Sequence, residues 1–281
     1  MSNNIINYYC PYCNNYKLID RKISFQCSND KCLHSKAKNF FIKKNNIPIL
    51  ISEKLCDTVV NIKDISSYVK RPNNLTYRLK KIFINDSSIT KKNAKYFVNL
   101  IKKKKKPKIL IIGSGERGKG TDIIWNDRKI EKQGIDVYIT PTVDVVCDAH
   151  YLPFKESEFD GVWIQAVLEH VVEPKKVVDE IYRVLKKNGI VYAETPFMQQ
   201  VHEGAYDFTR FTVLGHRYLF KNFSSILVGA NKGAEIVLAW SIKYFFWSIF
   251  RNRKLASFIG IVSQLILRPF SILTSKKSLY D

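Results

Sequence analysis

A glycine-rich loop follows an apolar run in the middle of this 281-residue chain. The run "KILII" leads directly into Gly113, and Gly115 and Gly118 complete the pattern Gly-x-Gly-x-x-Gly. Glycines at this spacing let the backbone approach a bound ligand closely, because they have no Cβ atom. Asp136 follows about 20 residues after Gly115, where an acid reaches the hydroxyl groups of a ribose. The loop therefore predicts an adenosine-containing ligand, and these residues alone do not separate NAD from S-adenosylmethionine.

Cysteines near the N-terminus have the spacing of metal ligands. They form two pairs, Cys10 with Cys13 and Cys27 with Cys32, on either side of a strand-forming stretch. Two such thiolate pairs supply the soft ligands of a tetrahedral zinc, which we expect to be structural because no coordination position stays open. The second pair has a longer spacing than usual, so His34 is an alternative to Cys32 as a ligand. Disulfides are the less favoured alternative in a chain without a recognisable secretion signal.

Alternating strand and helix patterns from residue 107 onward predict the elements that position the glycine loop. Short apolar runs predict five strands, ending near "KILIIG", "GIDVY", "VDVVCDA", "FDGVWIQA" and "GIVYAETP". A helical stripe precedes the last strand and consists of Val177, Val178, Ile181, Val184 and Leu185. Asn188 and Gly189 are the expected end of that helix. Repeated βαβ units predict an α/β, doubly wound sheet that binds its ligand at the carboxyl ends of the strands.

Several ordered motifs in this region resemble the class I S-adenosylmethionine-dependent methyltransferases. They are "VDVVCDAHYLPF", "EFDGVWIQAVLEHV" and "EIYRVLKKNGIVYAETPF", and the resemblance covers roughly Pro107 to Phe220. It implies a Rossmann-like fold with S-adenosyl-L-methionine as the cofactor. The implied cofactor-binding residues are Gly113, Ser114, Gly115 and Gly118 for the methionine part, Asp136 for the ribose, Asp148 and Ala149 for the adenine edge, and Gln165 beside the methyl group. Relatives commonly carry an acid where this chain has Ile111.

A polar and aromatic segment after the last predicted strand is the candidate acceptor site. The segment "HEGAYDFTRFT" resembles an element of the same methyltransferase subgroup. Methyl transfer to a hydroxyl requires an aligned nucleophile and removal of its proton. His202 is the candidate base, Asp207 an orienting group or alternative base, and Arg210 a partner for an anionic acceptor. The alternative is that Asp207 and Arg210 pair and only fix the loop.

The remaining sequence predicts smaller modules around this domain. The stretch "FFIKKNNIPILI" makes the N-terminal segment resemble the Trm112-like zinc ribbon. We expect this ribbon over residues 1–52, a basic linker with short helices over 53–106, the methyltransferase domain over 107–233, and a helical hairpin with a tail over 234–281. In the last segment, Lys243 and the stretch Arg251-Asn252-Arg253-Lys254 divide an apolar sequence into pieces too short to span a bilayer. Its aromatic and cationic residues favour the membrane interface, and burial against the domain or in a dimer is the alternative.

Charge and composition limit the candidate partners. The formal net charge is +21, and a basic surface favours RNA or an anionic membrane. The first residues lack the features of a signal peptide, which predicts a cytoplasmic protein. Our first functional hypothesis is methyl transfer to an oxygen or nitrogen of a small-molecule saccharide or lipid-linked intermediate at the inner membrane face. The alternatives are an RNA methyltransferase acting on ribosomal or transfer RNA, and a non-catalytic cofactor-binding or zinc-dependent interaction module.

Overall fold

The computed structural model describes residues 7–13, 16–51, 88–118, 120–201 and 206–270. Its strands are β1 Leu18–Asp20, β2 Ser24–Cys27, β3 Phe41–Lys44, β4 Ile47–Ile49, β5 Lys108–Ile112, β6 Glu131–Asp136, β7 Val145–Val146, β8 Phe159–Gln165 and β9 Leu185–Glu194. Its α-helices are α1 Ser88–Ile101, α2 Asp122–Asn126, α3 Pro174–Val184, α4 Val213–Leu219, α5 Ala234–Phe250 and α6 Arg253–Leu267. The described strands form one sheet in the order β1-β2-β3-β4-β7-β6-β5-β8-β9.

The strands β7-β6-β5-β8-β9 are all parallel, and they correspond to the five strands expected from the sequence. Side chains of β5 alternate between two buried layers. Leu110 and Ile112 pack in the core that contains α3, whereas Ile109 and Ile111 pack with residues of α1 and α2. A strand buried on both faces has a continuous apolar sequence, as "KILII" does. The predicted α/β, doubly wound fold is therefore confirmed.

Helix α3 buries the apolar stripe that the sequence predicts, but it ends earlier than expected. Val177, Ile181 and Val184 are fully buried, and Pro174 stands in the first turn. The helix ends at Val184, because Leu185 already pairs with Phe159 of β8. Asn188, the predicted helix stop, instead adopts a left-handed conformation (φ 60°) inside β9. The expected end of this helix was wrong, and the turn residue belongs to an irregular strand.

The N-terminal strands extend the parallel sheet. Strands β1 to β4 are antiparallel, and β4 then pairs parallel with β7 through Ile49 and Val146. Leu50 N donates a hydrogen bond of 2.8 Å to Val146 O. Tyr8 and Phe25 belong to the same buried cluster as residues of β5, β8 and α3. The N-terminal strands and the α/β domain thus share one hydrophobic core.

Helices α5 and α6 form a hairpin at the C-terminal end of the described chain. Arg251, in a left-handed conformation (φ 52°), ends α5, and the Asn252 side chain caps the first turn of α6. The helices approach closely where Gly260 lies against the Lys243 side chain. Outward residues are largely apolar, and Phe245 and Phe258 are 61% and 63% exposed. Among the described helices, none combines the length and hydrophobicity needed to cross a bilayer.

Candidate active site

The glycine loop begins where β5 ends and turns across the end of β6. The N–H groups of Gly113 and Ser114 both donate to Ile135 O, at 3.0 and 2.9 Å. Gly113 has a positive φ of 75°, and a Cβ there would overlap the side chain of Val167. Only glycine satisfies both the backbone conformation and this close contact.

The side chain of Asp136 is positioned by the backbone of the glycine loop. Its Oδ2 accepts a hydrogen bond of 2.8 Å from Gly115 N, and its Oδ1 accepts from Val137 N at 2.7 Å. Burial raises the pKa of Asp136, and the hydrogen bonds from Gly115 and Val137 oppose that increase. A carboxylate has about four acceptor positions, so this one can still accept bonds from ligand hydroxyl groups. The arrangement fits the ribose contact implied by the resemblance.

Asp148 is a buried acid with one unpartnered oxygen. Its Oδ1 accepts bonds from His150 N at 2.9 Å and His150 Nδ1 at 2.6 Å. Because His150 Nε2 accepts from Glu173 N, the proton of the neutral ring is assigned to Nδ1. Asp148 Oδ2 has no partner among the described residues, although the residue is only 4% exposed. This oxygen fits an external donor such as the amino group of a purine base.

Gln165 ends β8 opposite the last glycine of the loop. Its Nε2 donates a long hydrogen bond of 3.4 Å to Glu194 Oε2, and its Oε1 has no partner in the described part of the chain. A Cβ on Gly118 would overlap Gln165 Oε1. Tyr192 OH donates to the same oxygen of Glu194 at 2.7 Å. Polar atoms therefore converge where the resemblance predicts the methyl group.

These residues surround one large cavity of about 2510 Å³ at the carboxyl ends of the parallel strands. Its lining includes seven predicted cofactor residues: Gly113, Gly115, Gly118, Asp136, Asp148, Ala149 and Gln165. Ser114 is not part of the lining; it is fully buried, and its Oγ donates to Thr142 O at 3.1 Å. The cavity continues beyond the cofactor residues to the segment before α5, where it is lined by Leu227, Val228 and Val237.

The predicted acceptor residues are only partly described. Asp207 and Arg210 form a bidentate ion pair, with Arg210 Nη2 donating to Asp207 Oδ2 at 2.7 Å. Arg210 also donates to the backbone oxygens of Gln199 and Thr209. This geometry matches the alternative in which the pair fixes the loop. His202 lies outside the described residues, and catalytic roles for all three residues stay predictions.

Glu169 is a cavity-lining acid that the sequence analysis did not single out. It lies in the turn Leu168–His170, directly after β8, and its side chain is fully buried. Burial raises its pKa to about 7, and the nearby carboxylates of Asp207 and Glu194 act in the same direction, while Arg210 opposes them. The signal available in the sequence was an acid within "VLEHV", immediately after a predicted strand end.

The thiols of Cys10, Cys13, Cys27 and Cys32 form a compact cluster in which the sulfur atoms all lie within 4.8 Å of one another. Ligands at about 2.3 Å from a tetrahedral zinc are separated by similar distances. Burial raises the pKa of Cys13 to about 12 and also raises that of Cys10. A bound cation would reverse this effect by stabilising thiolates.

The alternative ligand His34 is engaged elsewhere. Its Nδ1 lies 2.6 Å from Asn39 O, and its ring stacks on Phe41 at a centroid distance of 4.1 Å. The backbone N–H of His34 instead bonds Cys32 Sγ at 3.4 Å. The cluster of possible metal ligands among the described residues contains the four cysteines and not His34, and four thiolates fit a structural zinc. The four thiols are free, as is that of Cys147, which is buried, whereas Cys56 lies outside the described residues.

The fold and the glycine loop together define a Rossmann-like α/β domain, and comparison with known proteins shows what this domain is similar to. A family model described as "Methyltransferase domain" matches residues 121–193. An uncharacterized protein of Methanocaldococcus jannaschii is 45% identical over 71 residues, which are 25% of this chain and 31% of that protein. A demethylmenaquinone methyltransferase of Renibacterium salmoninarum is 31% identical over 128 residues, which are 44% of this chain and 51% of that enzyme.

Among solved structures, a phosphoethanolamine N-methyltransferase of Haemonchus contortus in complex with S-adenosyl-L-methionine is similar with a TM-score of 0.45 and 18% identity. The similarity covers 77% of this chain and 58% of that one. The chain spans about half the length, or less, of the curated relatives it matches. The methyltransferase family model matches part of the α/β region of this chain, where the sequence motifs show the same resemblance.

Proposed function

We propose that this protein transfers a methyl group from S-adenosyl-L-methionine to an acceptor bound in the same cavity. One observation carries the proposal: Asp136 and Asp148 present acceptor oxygens at the ends of adjacent strands, beside a glycine loop that lines the cavity. Asp136 would hold the ribose, Asp148 Oδ2 the adenine amino group, and the backbone of Gly113 and Gly115 the methionine part. The cofactor supplies an electrophilic methyl group on a sulfonium, and the protein aligns the nucleophile behind it.

The acceptor that these walls fit best is a saccharide or a lipid-linked intermediate with an anionic group. Beyond the cofactor residues the cavity is lined by Ile226, Leu227 and Val228, each more than half exposed. Exposed apolar residues in a groove favour an amphiphilic ligand. The lining of the whole cavity also includes five basic residues, of which Lys186 pairs with Asp160: Lys186, Lys187, Arg217, Lys221 and Lys232. They would attract a phosphate or another anion.

RNA is a second candidate acceptor, supported by the same basic residues of the cavity and by the net charge of +21. Mass spectrometry of glycolipids, saccharides and RNA from a deletion strain separates the two candidates. We expect one lipid or saccharide species to lose a methyl group. Loss of a methyl group only from RNA would favour the second candidate.

We also propose that the cysteine cluster holds a structural zinc. Its four thiols are buried or half-buried and leave no coordination position for a substrate. Elemental analysis of protein purified without chelator should give one zinc per chain, and Cys10→Ser should lower that ratio. A metal-free preparation that remains folded would contradict the proposal.

Cofactor binding is tested by calorimetric titration with S-adenosyl-L-methionine. We expect Asp148→Asn and Asp136→Ala to weaken binding by about 10- to 100-fold, because each loses a hydrogen bond to a ligand. Asp179→Asn is the control, since Asp179 forms an exposed ion pair with Lys175 on α3. If both site variants bind S-adenosyl-L-methionine as tightly as the wild type does, the cofactor does not bind in this cavity. If the protein binds the cofactor but transfers no methyl group to any component of cell extracts, it is a non-catalytic cofactor-binding module.

A further inference from the structure

The turn that carries Glu169 is packed directly against the glycine loop. Val167, two residues earlier in this turn, fills the space that a Cβ on Gly113 would need. The backbone oxygen of Glu169 accepts bonds from Phe208 N at 2.8 Å and Thr209 N at 3.2 Å. Glu169 therefore lies between the cofactor residues and the segment that contains Asp207. This is where a methyl donor and a methyl acceptor would meet.

The carboxyl group of Glu169 lacks the hydrogen bonds that normally accompany burial of an acid, as far as the described residues show. Neither side-chain oxygen has a hydrogen bond among the described residues, and the side chain is 0% exposed. The His170 ring lies close by, with its Nε2 at 3.8 Å from Oε1, beyond hydrogen-bond distance. Buried carboxyl groups are almost always hydrogen-bonded, so one without a hydrogen bond beside a ligand cavity indicates a function.

Burial raises the pKa of the Glu169 carboxyl, and the neighbouring charges act in both directions. Asp207 and Glu194 are acidic neighbours, and Arg210 is the cation that opposes them. Arg210 is, however, already held by the bidentate pair with Asp207. A sulfonium bound in the cavity would add a positive charge near this group of acids. We therefore expect cofactor binding to favour the ionised carboxylate.

We infer that Glu169 is a catalytic residue that accepts the proton released by the methyl acceptor. This inference rests on the proposed function, because it names the group that takes up the proton in the proposed methyl transfer. A hydroxyl or neutral amino group of the acceptor forms a bond with the methyl carbon, and the S–CH₃ bond breaks with its electron pair going to sulfur. The acceptor's proton moves to the Glu169 carboxylate and leaves to solvent after product release. Atoms and charges balance without another reactant.

The first experiment counts protons without requiring an acceptor. Calorimetric titrations with S-adenosyl-L-methionine, in two buffers of different ionisation enthalpy, measure proton release on binding. Near pH 7 the wild type should release up to about 0.5 proton more than Glu169→Gln does, because its carboxyl is about half protonated. S-adenosylhomocysteine, whose sulfur is uncharged, should release less from the wild type. Equal release by wild type and Glu169→Gln would overturn the inference.

The second experiment measures transfer of a labelled methyl group to a total lipid and saccharide extract of the source cells. We expect Glu169→Gln to lose about 100-fold or more in rate while cofactor affinity changes less than about threefold. Glu169→Asp should recover part of the rate, and Asp179→Asn should match the wild type. A Glu169→Gln rate within about threefold of wild type would overturn the inference. Failure of the wild type to bind the cofactor would instead defeat the proposed function itself.

Discussion

Glu169 should make the stability of the folded domain depend on pH. Its pKa is raised from 4.5 to about 7 because burial penalises the carboxylate. In the unfolded chain the group ionises near its ordinary pKa, so its contribution to stability is complete below about pH 4.5. That contribution is lost as the pH rises through about 7, by at most roughly 3 kcal/mol. The folded state is therefore least favoured by this residue above neutral pH.

Glu169→Gln removes the ionisable group while keeping its size. The variant should raise the Tm relative to the wild type at about pH 8 and leave it nearly unchanged at about pH 4. Scanning calorimetry at both pH values checks this, with Asp179→Asn as the exposed control. A Tm difference of the same size at both pH values would mean that the amide acts through packing and not through ionisation.

Gly115→Ala tests how closely the loop must approach Asp136. A Cβ at this position would lie 2.7 Å from Asp136 Oδ2, so the carboxylate or the loop must move. We expect a loss of about tenfold or more in affinity for S-adenosyl-L-methionine. Gly229→Ala is a matched control, because its Cβ would have no atom within 4 Å. If Gly115→Ala binds S-adenosyl-L-methionine as tightly as Gly229→Ala does, the close approach of Gly115 to Asp136 does not matter for cofactor binding.

At the residue scale, the sequence predicted which residues belong to one site. It predicted less well the burial and the hydrogen-bond partners of each of those residues. The spacing of Gly115 and Asp136 predicted that both belong to one ligand site, and in the structure Gly115 N donates a hydrogen bond to Asp136 Oδ2. The burial of Glu169 and the hydrogen bond that turns Ser114 away from the cavity depend on other elements. Spacing along a chain carries no information on such surroundings, because they come from residues distant in sequence.

The N-terminal strands support the segment that carries Asp148. Tyr9 N donates to Pro153 O at 2.9 Å, and the ring of Tyr8 lies 6.1 Å from that of Phe154. From the other side, Arg183 Nη1 donates to Phe154 O at 2.7 Å. The segment from β7 to Phe154 is thus held between α3 and the residues that precede β1 in the N-terminal, cysteine-bearing part of the chain. If the N-terminal part of the chain becomes less ordered, the residues at the adenine end of the cavity should become less ordered too.

Removal of the metal should therefore destabilise the methyltransferase domain and not only the cysteine-bearing strands. We expect chelation to lower the Tm of the whole transition and to weaken binding of S-adenosyl-L-methionine, with recovery after zinc is restored. Hydrogen exchange should show faster exchange at Cys147 and Tyr151, whose N–H groups bond Asp136 O and Asp148 O. Unchanged exchange there, with loss of structure confined to residues 7–51, would show that the two parts are uncoupled.

The sequence predicted the individual strands of the α/β domain but not the pairing of β4 with β7. The five parallel strands followed from apolar runs, and each was confirmed. The pairing of β4 with β7 joins residues about 100 positions apart, and periodicity within either strand does not encode a partner. The early end of α3 has the same cause, since pairing of Leu185 with β8 overrides the local stop signal at Asn188.

At the scale of the whole molecule, the hairpin presents an apolar face next to clustered cations. Leu238, Phe245 and Ile249 share the exposed side of α5, and Arg251, Arg253 and Lys254 are exposed where the two helices meet. Lys243, Tyr244 and Trp247 are half-buried. An apolar face beside cations is complementary to an anionic lipid surface. The start of α5 also lines the cavity, so a lipid-linked acceptor could reach the site from that surface.

We predict that the protein binds anionic vesicles through this hairpin. In sedimentation with vesicles of phosphatidylglycerol and phosphatidylcholine, binding should weaken as salt increases and be lost on truncation after Gly233. The double variant Phe245→Ser with Phe258→Ser should weaken binding by about 100-fold or more, because each ring contributes roughly 1.5–3 kcal/mol on burial. Leu214→Ser is the control, since Leu214 is 75% exposed on α4, outside the hairpin. A different outcome would assign this face to a dimer interface: the wild type stays in the supernatant at low salt and is a dimer, whereas the double phenylalanine variant is a monomer.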